Sequence, residues 1–385
     1  MQLYAQKQIT VEASQTAEPV GKTDIITIDR SGLKGEVIRV GEDFAPEEGV
    51  QLVEGLKIGK MLGGGVQGAI YVLEGPNGEE TGKLLKVMKY KEAAPITGLD
   101  VGLKREWLIG QQLDRLKGDN GEIRGFMGTG AAVISGEEQM LQGLVLDKLN
   151  GTPLDSRLWK DESFNDINYV IEMLRQVCAA LNEAFRELGF IHKDLRLANI
   201  MEHRPEGGGK AVYPKGFVSK QQRQEAIDAG VFKLPGDKKP KQLEFKIIDY
   251  GHARLIADRT SQKLPKAPGM EGIYRRWWDS KGDVWRLIQD LADAIDGRTW
   301  PAEEKKKVEI VLDLVYEVTG VRLSAFYEPD IDGAAAKAQD WMKFNGSNHK
   351  YRRYFIRAQA FFFSRKTGFT PTDALKFLDD RLSAL

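Results

Sequence analysis

Cysteine is almost absent from this sequence: Cys178 is the one thiol among 385 residues. A single thiol excludes an internal disulfide framework and any metal site made of several cysteines, and it is typical of proteins in a reducing compartment. Cys178 also lies in an apolar helical pattern, in which a free cysteine packs as a small hydrophobic side chain. We therefore expect Cys178 to be buried and to have a structural role.

An excess of charge is also absent, because 56 lysines and arginines balance 56 aspartates and glutamates. This balance lacks the electrostatic footprint of a dedicated nucleic-acid binder. No apolar run approaches the roughly 20 residues that cross a bilayer, and residues 1–12 lack the apolar core of a signal peptide. We expect a soluble, cytoplasmic protein that has neither a nucleic acid nor a membrane as its partner.

The order of hydrophobic patterns predicts an α+β fold with two lobes. Strand-like patterns dominate the first 150 residues and helical patterns the remainder. Residues 1–50 are predicted to be an N-terminal extension with a β-hairpin. Residues 51–149 are predicted to form a strand-rich lobe, and residues 150–385 a mainly helical lobe.

The first candidate site lies in three predicted antiparallel strands that begin at Leu56. Their first turn contains the pattern Gly63-x-Gly65-x-x-Gly68, which permits close approach of a ligand to the backbone but is a weak signal alone. In the third strand, Lys86 interrupts an apolar run, and a half-buried lysine needs an anionic partner. Glu106, in a helix predicted over residues 102–116, can be that partner.

Two polar segments carry the remaining candidates. A long helical pattern runs from Ile167 to Leu188 and ends at a glycine, and the segment IHKDLRLANI (residues 191–200) follows it. The second segment, KIIDYG (residues 246–251), is an apolar strand that ends in a carboxylate. Asp194, Asn199 and Asp249 offer the oxygen ligands that hold Mg²⁺ beside phosphates.

Four motifs thus follow one another: the glycine-rich turn, Lys86 with Glu106, the segment 191–200 and the segment 246–251. In this order they resemble the motifs of eukaryotic-type protein kinases. The resemblance implies a bilobal protein-kinase-like fold, an N-terminal lobe with an antiparallel sheet plus one helix, and ATP with Mg²⁺, or Mn²⁺ in its place, as cofactor. It implies that Gly63, Gly65 and Gly68 cover the ATP phosphates. It further implies that Lys86, oriented by Glu106, holds the α- and β-phosphates.

The resemblance also assigns roles in the second lobe. Asp194 would accept the proton of the substrate hydroxyl, while Asn199 and Asp249 would hold two Mg²⁺ ions. Arg196 falls where many kinases place a lysine against the γ-phosphate. Asp283 would brace the Asp194 segment from the start of a helix predicted over residues 283–295.

A hinge between the lobes is implied as well. Leu146 would be the gatekeeper, and backbone groups of Asp147 and Leu149 would pair with adenine. Residues 204–244 are polar and rich in glycine and lysine. They resemble an insertion between the catalytic loop, residues 192–199, and the DFG-like motif, residues 249–251. They are a candidate docking surface for a protein substrate.

Three departures from the kinase pattern have consequences. Lys193 replaces the arginine of the HRD motif and lacks its planar fork, and residues 252–271 offer only Thr260 and Ser261 as phosphate acceptors. Control by phosphorylation of that loop is therefore doubtful, and no clear APE motif follows it. Gly110 stands one turn after Glu106, where it is expected to leave a gap and to make the helix mobile.

These residues favour a protein kinase that acts on serine or threonine rather than tyrosine. A small-molecule or sugar phosphotransferase of kinase-like fold is an alternative, because it needs no APE motif. A nucleotide-binding pseudokinase scaffold is a third hypothesis. It is disfavoured because Lys86, Asp194 and Asp249 are all present.

Overall fold

The computed structural model describes residues 21–28, 33–64, 68–88, 102–118, 123–204, 243–255, 273–295, 298–320 and 368–385. They form two compact units. The sheet unit comprises the described residues of Met1–Gly98 and Ala131–Val145, and the helical unit those of Leu99–Gly130 and Leu146–Leu385. Strands and helices are both abundant, so the α+β class is confirmed.

Eight strands form one sheet in the order β1-β2-β7-β8-β6-β5-β4-β3. Their bounds are β1 Lys22–Ile28, β2 Leu33–Val40, β3 Gln51–Val53, β4 Leu56–Gly64, β5 Gly68–Glu74, β6 Glu80–Met88, β7 Thr129–Ser135 and β8 Met140–Asp147. Gly21, which precedes β1, bridges to Val53 in β3, and its N–H donates to the Leu52 carbonyl at 3.1 Å. The first and last strands of the sheet therefore meet, which removes two exposed edges.

Apolar residues that alternate along these strands supply the core of the sheet unit. The fully or largely buried members are Ile38, Val40, Leu52, Ile58, Leu73, Leu85, Val87, Ala131, Val133 and Val145. Strand β2 pairs in parallel with β7, with Val37 opposite Ala132. The two strands that the sequence places in an N-terminal extension thus belong to this sheet, because β2 buries its own apolar residues there. The domain boundaries themselves stay predictions.

Five α-helices are described in the helical unit. They are α1 Gly102–Leu113, α2 Ile167–Leu188, α3 Ile273–Ile295, α4 Lys305–Thr319 and α5 Pro371–Ser383. Helix α2 has the bounds that its apolar period predicts. The Asp166 carboxylate accepts from the N–H groups of Asn168 and Tyr169, and Gly189 ends the helix in the left-handed region at φ 66°.

Helix α3 contains a break at Gly282, whose φ of 84° and ψ of 173° are not helical. The helix proper therefore restarts at Asp283, as the sequence predicts. Its apolar residues Val284, Leu287, Ile288 and Leu291 are 0–1% exposed and lie in the core of the helical unit. The part of α3 from Asp283 onward is therefore packed into the core of the helical unit through these residues.

A two-stranded sheet completes the helical unit. Strands β9 (Ile200–His203) and β10 (Glu244–Ile247) pair antiparallel, with His203 opposite Glu244. The intervening residues 205–242 lie outside the described part of the chain. The two strands therefore lie side by side although residues 204–243 separate them in the chain.

Cys178 lies in the same core and is 1% exposed, so its predicted structural role is confirmed. Burial raises the pKa of its thiol to about 12. None of the described helices is long and apolar enough to span a membrane.

Candidate active site

Two segments of the helical unit bring three predicted site residues together. The Asp194 loop (residues 191–199) follows α2, and the Asp249 segment (residues 246–254) begins within β10. Ile191 and Arg254 exchange two backbone hydrogen bonds of 2.8 Å, and the Ile248 N–H donates to the Asn199 carbonyl at 3.0 Å. These bonds place Asp249 one residue from the backbone partner of Asn199.

His192 joins the two segments by its side chain. Its ring is fully buried, with Nε2 2.9 Å from the Ile248 carbonyl, and the Asp194 N–H donates to Nδ1 at 3.3 Å. Since Nδ1 accepts a hydrogen bond, the pattern assigns the ring proton to Nε2, which donates to Ile248. The His192 side chain therefore joins the Asp194 loop to the Asp249 segment.

Asn199 is oriented by Asp194. Its amide Nδ2 donates to the Asp194 carbonyl at 2.8 Å and to the carboxylate Oδ2 at 3.2 Å. Because both bonds use the amide nitrogen, the amide oxygen is the atom of Asn199 that is left for a cation. The Asp194 side chain is 16% exposed, so part of its carboxylate remains within reach of a substrate.

Three polar residues of α3 bind the Asp194 loop. The Asp283 carboxylate accepts from the N–H groups of His192 at 2.7 Å and Lys193 at 2.8 Å, and Asp290 accepts from Leu197 at 2.7 Å. Between them, Arg286 forms an ion pair with Asp194. The bracing role predicted for Asp283 is confirmed.

Sequence reasoning missed Arg286 and Asp290. Their spacing from Asp283, three and seven residues, places all three on one face of α3. Polar residues that recur at this spacing between the apolar residues Val284, Leu287, Ile288 and Leu291 were the signal that could have identified them.

Strained backbone marks the same two segments. Among the described residues other than glycine, Lys193, Asp249 and Gln139 have positive φ, at 66°, 64° and 54°. Gln139 lies in a surface turn, whereas Lys193 and Asp249 lie beside the candidate catalytic groups. Left-handed conformations of such residues cost on the order of 1–3 kcal/mol and concentrate at functional sites.

Tyr250, which follows Asp249, is fully buried. Its hydroxyl lies 2.9 Å from the Met127 carbonyl and 2.8 Å from the Ile247 carbonyl, and its ring packs edge-on against Phe190 and His192. Burial raises the pKa of Tyr250 well above its usual value. The neutral hydroxyl therefore anchors the residue that follows Asp249.

The prediction that Gly110 leaves a gap in the packing is wrong. A Cβ atom at this position would overlap the side chain of Thr129, which packs directly on the glycine. Glycine is thus required here by close packing of α1 against the start of β7. The mobility of α1 stays a prediction.

Glu106 and Lys86 lie in different units. Glu106 is 2% exposed on α1, and its neighbour Arg105 donates to the Ala253 carbonyl at 3.1 Å, which ties α1 to the Asp249 segment. Lys86 is half-buried in β6 opposite Ile70 of β5. The pairing of Lys86 with Glu106 stays a prediction.

The glycine-rich turn connects β4 and β5. Gly63 and Gly68 are described, whereas Gly65 lies outside the described residues. Gly63 has no positive φ, and a Cβ placed on it would meet no described atom within 4 Å. Packing within the described residues therefore does not require glycine at 63, whereas a ligand lying against the backbone would.

The structure gives the positions of the remaining predicted residues, and their roles stay predictions. Leu146 is buried, Asp147 and Leu149 are half-buried, and the Asp147 N–H donates to Gly128 at 3.0 Å. Arg196 is 52% exposed, with Nε 3.7 Å from the Asp194 carboxylate. Thr260 and Ser261 lie outside the described residues. Within the described ranges no three His, Cys, Asp or Glu side chains cluster as metal ligands.

Asp290 makes the stability of this region depend on pH. Burial raises the pKa of its carboxyl to about 6, against the N–H of Leu197 and the charges of Arg196 and Arg286, which lower it. Because the folded carboxyl binds its proton more tightly than the unfolded one, its contribution to stability is largest at low pH. That contribution is lost as the pH rises through about 6.

We expect Asp290→Asn to raise the free energy of unfolding at pH 7.5 by about 3 kcal/mol, since the amide mimics the protonated carboxyl. The gain should vanish near pH 4. Urea unfolding at the two pH values measures it, with Asp379→Asn, an exposed carboxylate on α5, as control. A gain of equal size at both pH values would contradict the assignment.

Comparisons with known proteins add similarity to kinase domains. No family model matches the chain, and no curated protein does either. Among solved structures, the chain is similar to the BubR1 kinase domain, with 12% identity, a TM-score of 0.45, and coverage of 90% of this chain and 86% of that one. It is also similar to two variants of the Mycobacterium tuberculosis PknI kinase domain. These have 14% and 15% identity, TM-scores of 0.40 and 0.39, and coverage of 88% of this chain and 100% and 99% of theirs.

Proposed function

We propose that this protein is a kinase of protein-kinase-like fold that transfers the γ-phosphoryl group of ATP to a serine or threonine hydroxyl of a protein. The observation that carries the proposal is the joined arrangement of Asp194, Asn199 and Asp249. Asn199 is hydrogen-bonded to Asp194, and its backbone binds the residue before Asp249. Phosphoryl transfer needs a base for the incoming hydroxyl and oxygen ligands for the metal that accompanies ATP, and these residues offer both.

Asp194 is the base in this proposal. Its carboxylate would accept the proton of the attacking hydroxyl as the new oxygen–phosphorus bond forms and the bond to the ADP oxygen breaks. The loop that carries it is held by Asp283, by His192 and by the fold of the Asp249 segment. Such a fixed carboxylate reduces the reorganisation that the reaction requires.

The donor set fits magnesium. Mg²⁺ binds through one or two protein oxygens together with substrate phosphates, rather than in a cage made of protein ligands alone. The Asn199 amide oxygen and the Asp249 carboxylate would hold it. When bound, the ion would neutralise charge on the transferred phosphoryl group.

The nucleotide would be held by the residues that the resemblance assigns. Gly63, Gly65 and Gly68 would approach the phosphates through the backbone. The absence of any described atom within 4 Å of a Cβ placed on Gly63 supports this role. Lys86 would contact the α- and β-phosphates. Residues 204–244 are proposed as a docking surface for the protein substrate.

The decisive experiment incubates the full chain with ATP labelled at the γ-phosphate, Mg²⁺ and a mixture of general protein substrates. Acid hydrolysis then identifies the labelled amino acid. We expect label on serine or threonine, and none when EDTA removes the metal. Label on tyrosine would correct the acceptor. In a parallel reaction with a mixture of small metabolites, label on small molecules alone would indicate a metabolite kinase. Nucleotide binding without transfer in either reaction would indicate a scaffold.

A further inference from the structure

Arg286 contacts the proposed base directly. Its guanidinium uses Nη2 for an ion pair with Asp194 Oδ1 and Nη1 for a hydrogen bond of 2.9 Å to the Lys193 carbonyl. The two side chains are 15% and 16% exposed, so solvent screens the pair only in part. A planar guanidinium that grips two neighbouring acceptors constrains both their distance and their orientation.

The other carboxylate oxygen of Asp194 is held from a different element. Asn199 Nδ2 donates to Oδ2 at 3.2 Å, while Arg286 occupies Oδ1. Rotation of the carboxylate about its Cβ–Cγ bond would break both contacts. Each ionised carboxylate oxygen has more than one acceptor site, so a substrate hydroxyl can still bind.

The residues of α3 that flank Arg286 are packed into the core. Val284, Leu287 and Ile288, which surround it in sequence, are 0–1% exposed. Burial lowers the pKa of Arg286, and the charge of Arg196 lowers it further, whereas the carboxylates of Asp194 and Asp283 raise it. Arginine side chains in proteins keep their charge, so the pair with Asp194 is ionic.

The backbone of Lys193, the residue before Asp194, is hydrogen-bonded to α3 at both its N–H and its carbonyl. Its N–H donates to Asp283, its carbonyl accepts from Arg286, and its φ is 66°. The planar fork that a lysine lacks is therefore supplied to this loop by Arg286, which lies 92 residues after Asp194 in the chain. Helix α3 thus presents Arg286 to the Asp194 carboxylate, in addition to Arg196 of the loop, whose Nε lies 3.7 Å from that carboxylate.

We propose that Arg286 is a positioning residue for the phosphoryl transfer, which holds the Asp194 carboxylate in the orientation that accepts the substrate proton. The inference rests on the proposed function. It makes α3 an active part of the site, beyond the backbone bracing by Asp283.

The kinetic test compares Arg286→Met and Arg286→Lys with the wild-type protein. We expect kcat to fall by roughly 100-fold in Arg286→Met, because a misplaced base costs about two orders of magnitude, while KM for ATP changes by less than about twofold. Arg286→Lys should recover about tenfold of the loss, since it restores the charge without the fork. An unchanged or increased kcat in folded Arg286→Met would overturn the proposal.

Arg298→Met is the matched control. Arg298 is also a partly buried arginine, but it donates to the Asp161 and Phe164 carbonyls at 3.0 and 2.8 Å. We expect this variant to unfold at lower urea concentration and to keep the wild-type kcat per folded molecule. An equal loss of kcat in this control would overturn the proposal, because general destabilisation would explain both variants.

A double-mutant cycle tests the same contact without activity. The unfolding constants of Arg286→Met, Asp194→Asn and the double variant are measured in urea. We expect the double variant to differ by roughly tenfold from the product of the single effects. Independent effects would overturn the proposal. If the wild-type protein transfers no phosphate, the proposed function fails, while the cycle still decides whether Arg286 holds Asp194.

Discussion

Asp194→Asn is expected to lower kcat for phosphoryl transfer by about 1,000-fold, within the range that general-base catalysis contributes. Asparagine keeps the size of the side chain and can still accept hydrogen bonds, but it cannot take the substrate proton. The dissociation constant for ATP should change little, since Asp194 is proposed to act on the acceptor hydroxyl. Kinetics with labelled ATP and a fluorescent nucleotide titration measure the two quantities separately.

Asp379→Asn is the control for this prediction. Asp379 lies on α5 and pairs with Arg175 at 2.6 Å, and both side chains are well exposed. Its loss should leave kcat at the wild-type value. Full activity in purified Asp194→Asn would remove Asp194 as the base.

Asp283→Ala is expected to affect both stability and activity. The change removes the acceptor for two backbone N–H groups, those of His192 and Lys193. Each buried donor left without a partner costs on the order of 1–3 kcal/mol, so the free energy of unfolding should fall by about 2–5 kcal/mol. Because the Asp194 loop loses its anchor, kcat per folded molecule should fall by roughly 100-fold.

Urea unfolding and hydrogen exchange at the two amides measure the structural part of this effect. Asp380→Ala, which removes an exposed carboxylate from its ion pair with Lys376 on α5, should change stability by less than about 0.5 kcal/mol. Slow exchange at His192 and Lys193 in Asp283→Ala would mean that the loop is held by other contacts.

Several features of the protein were determined by its sequence alone. The apolar period of α2 and the glycine that ends it, Gly189, predict the bounds of that helix, and the structure adds Asp166 as its N-terminal cap. The order of the motifs selects Asp194, Asn199 and Asp249, and the structure places these residues in two joined segments of the helical unit. Periods and caps depend on neighbours within one or two turns, so a short window of sequence is sufficient to identify them.

Other features were decided only by tertiary structure. The closure of the sheet through Gly21 and Val53, the packing of Thr129 on Gly110, and the ion pair of Arg286 with Asp194 all join distant parts of the chain. The bonds from α3 to the Asp194 loop span 90 to 93 residues. Local patterns show that a residue is polar or small, but its partner depends on how the elements pack, and packing is a property of the whole fold.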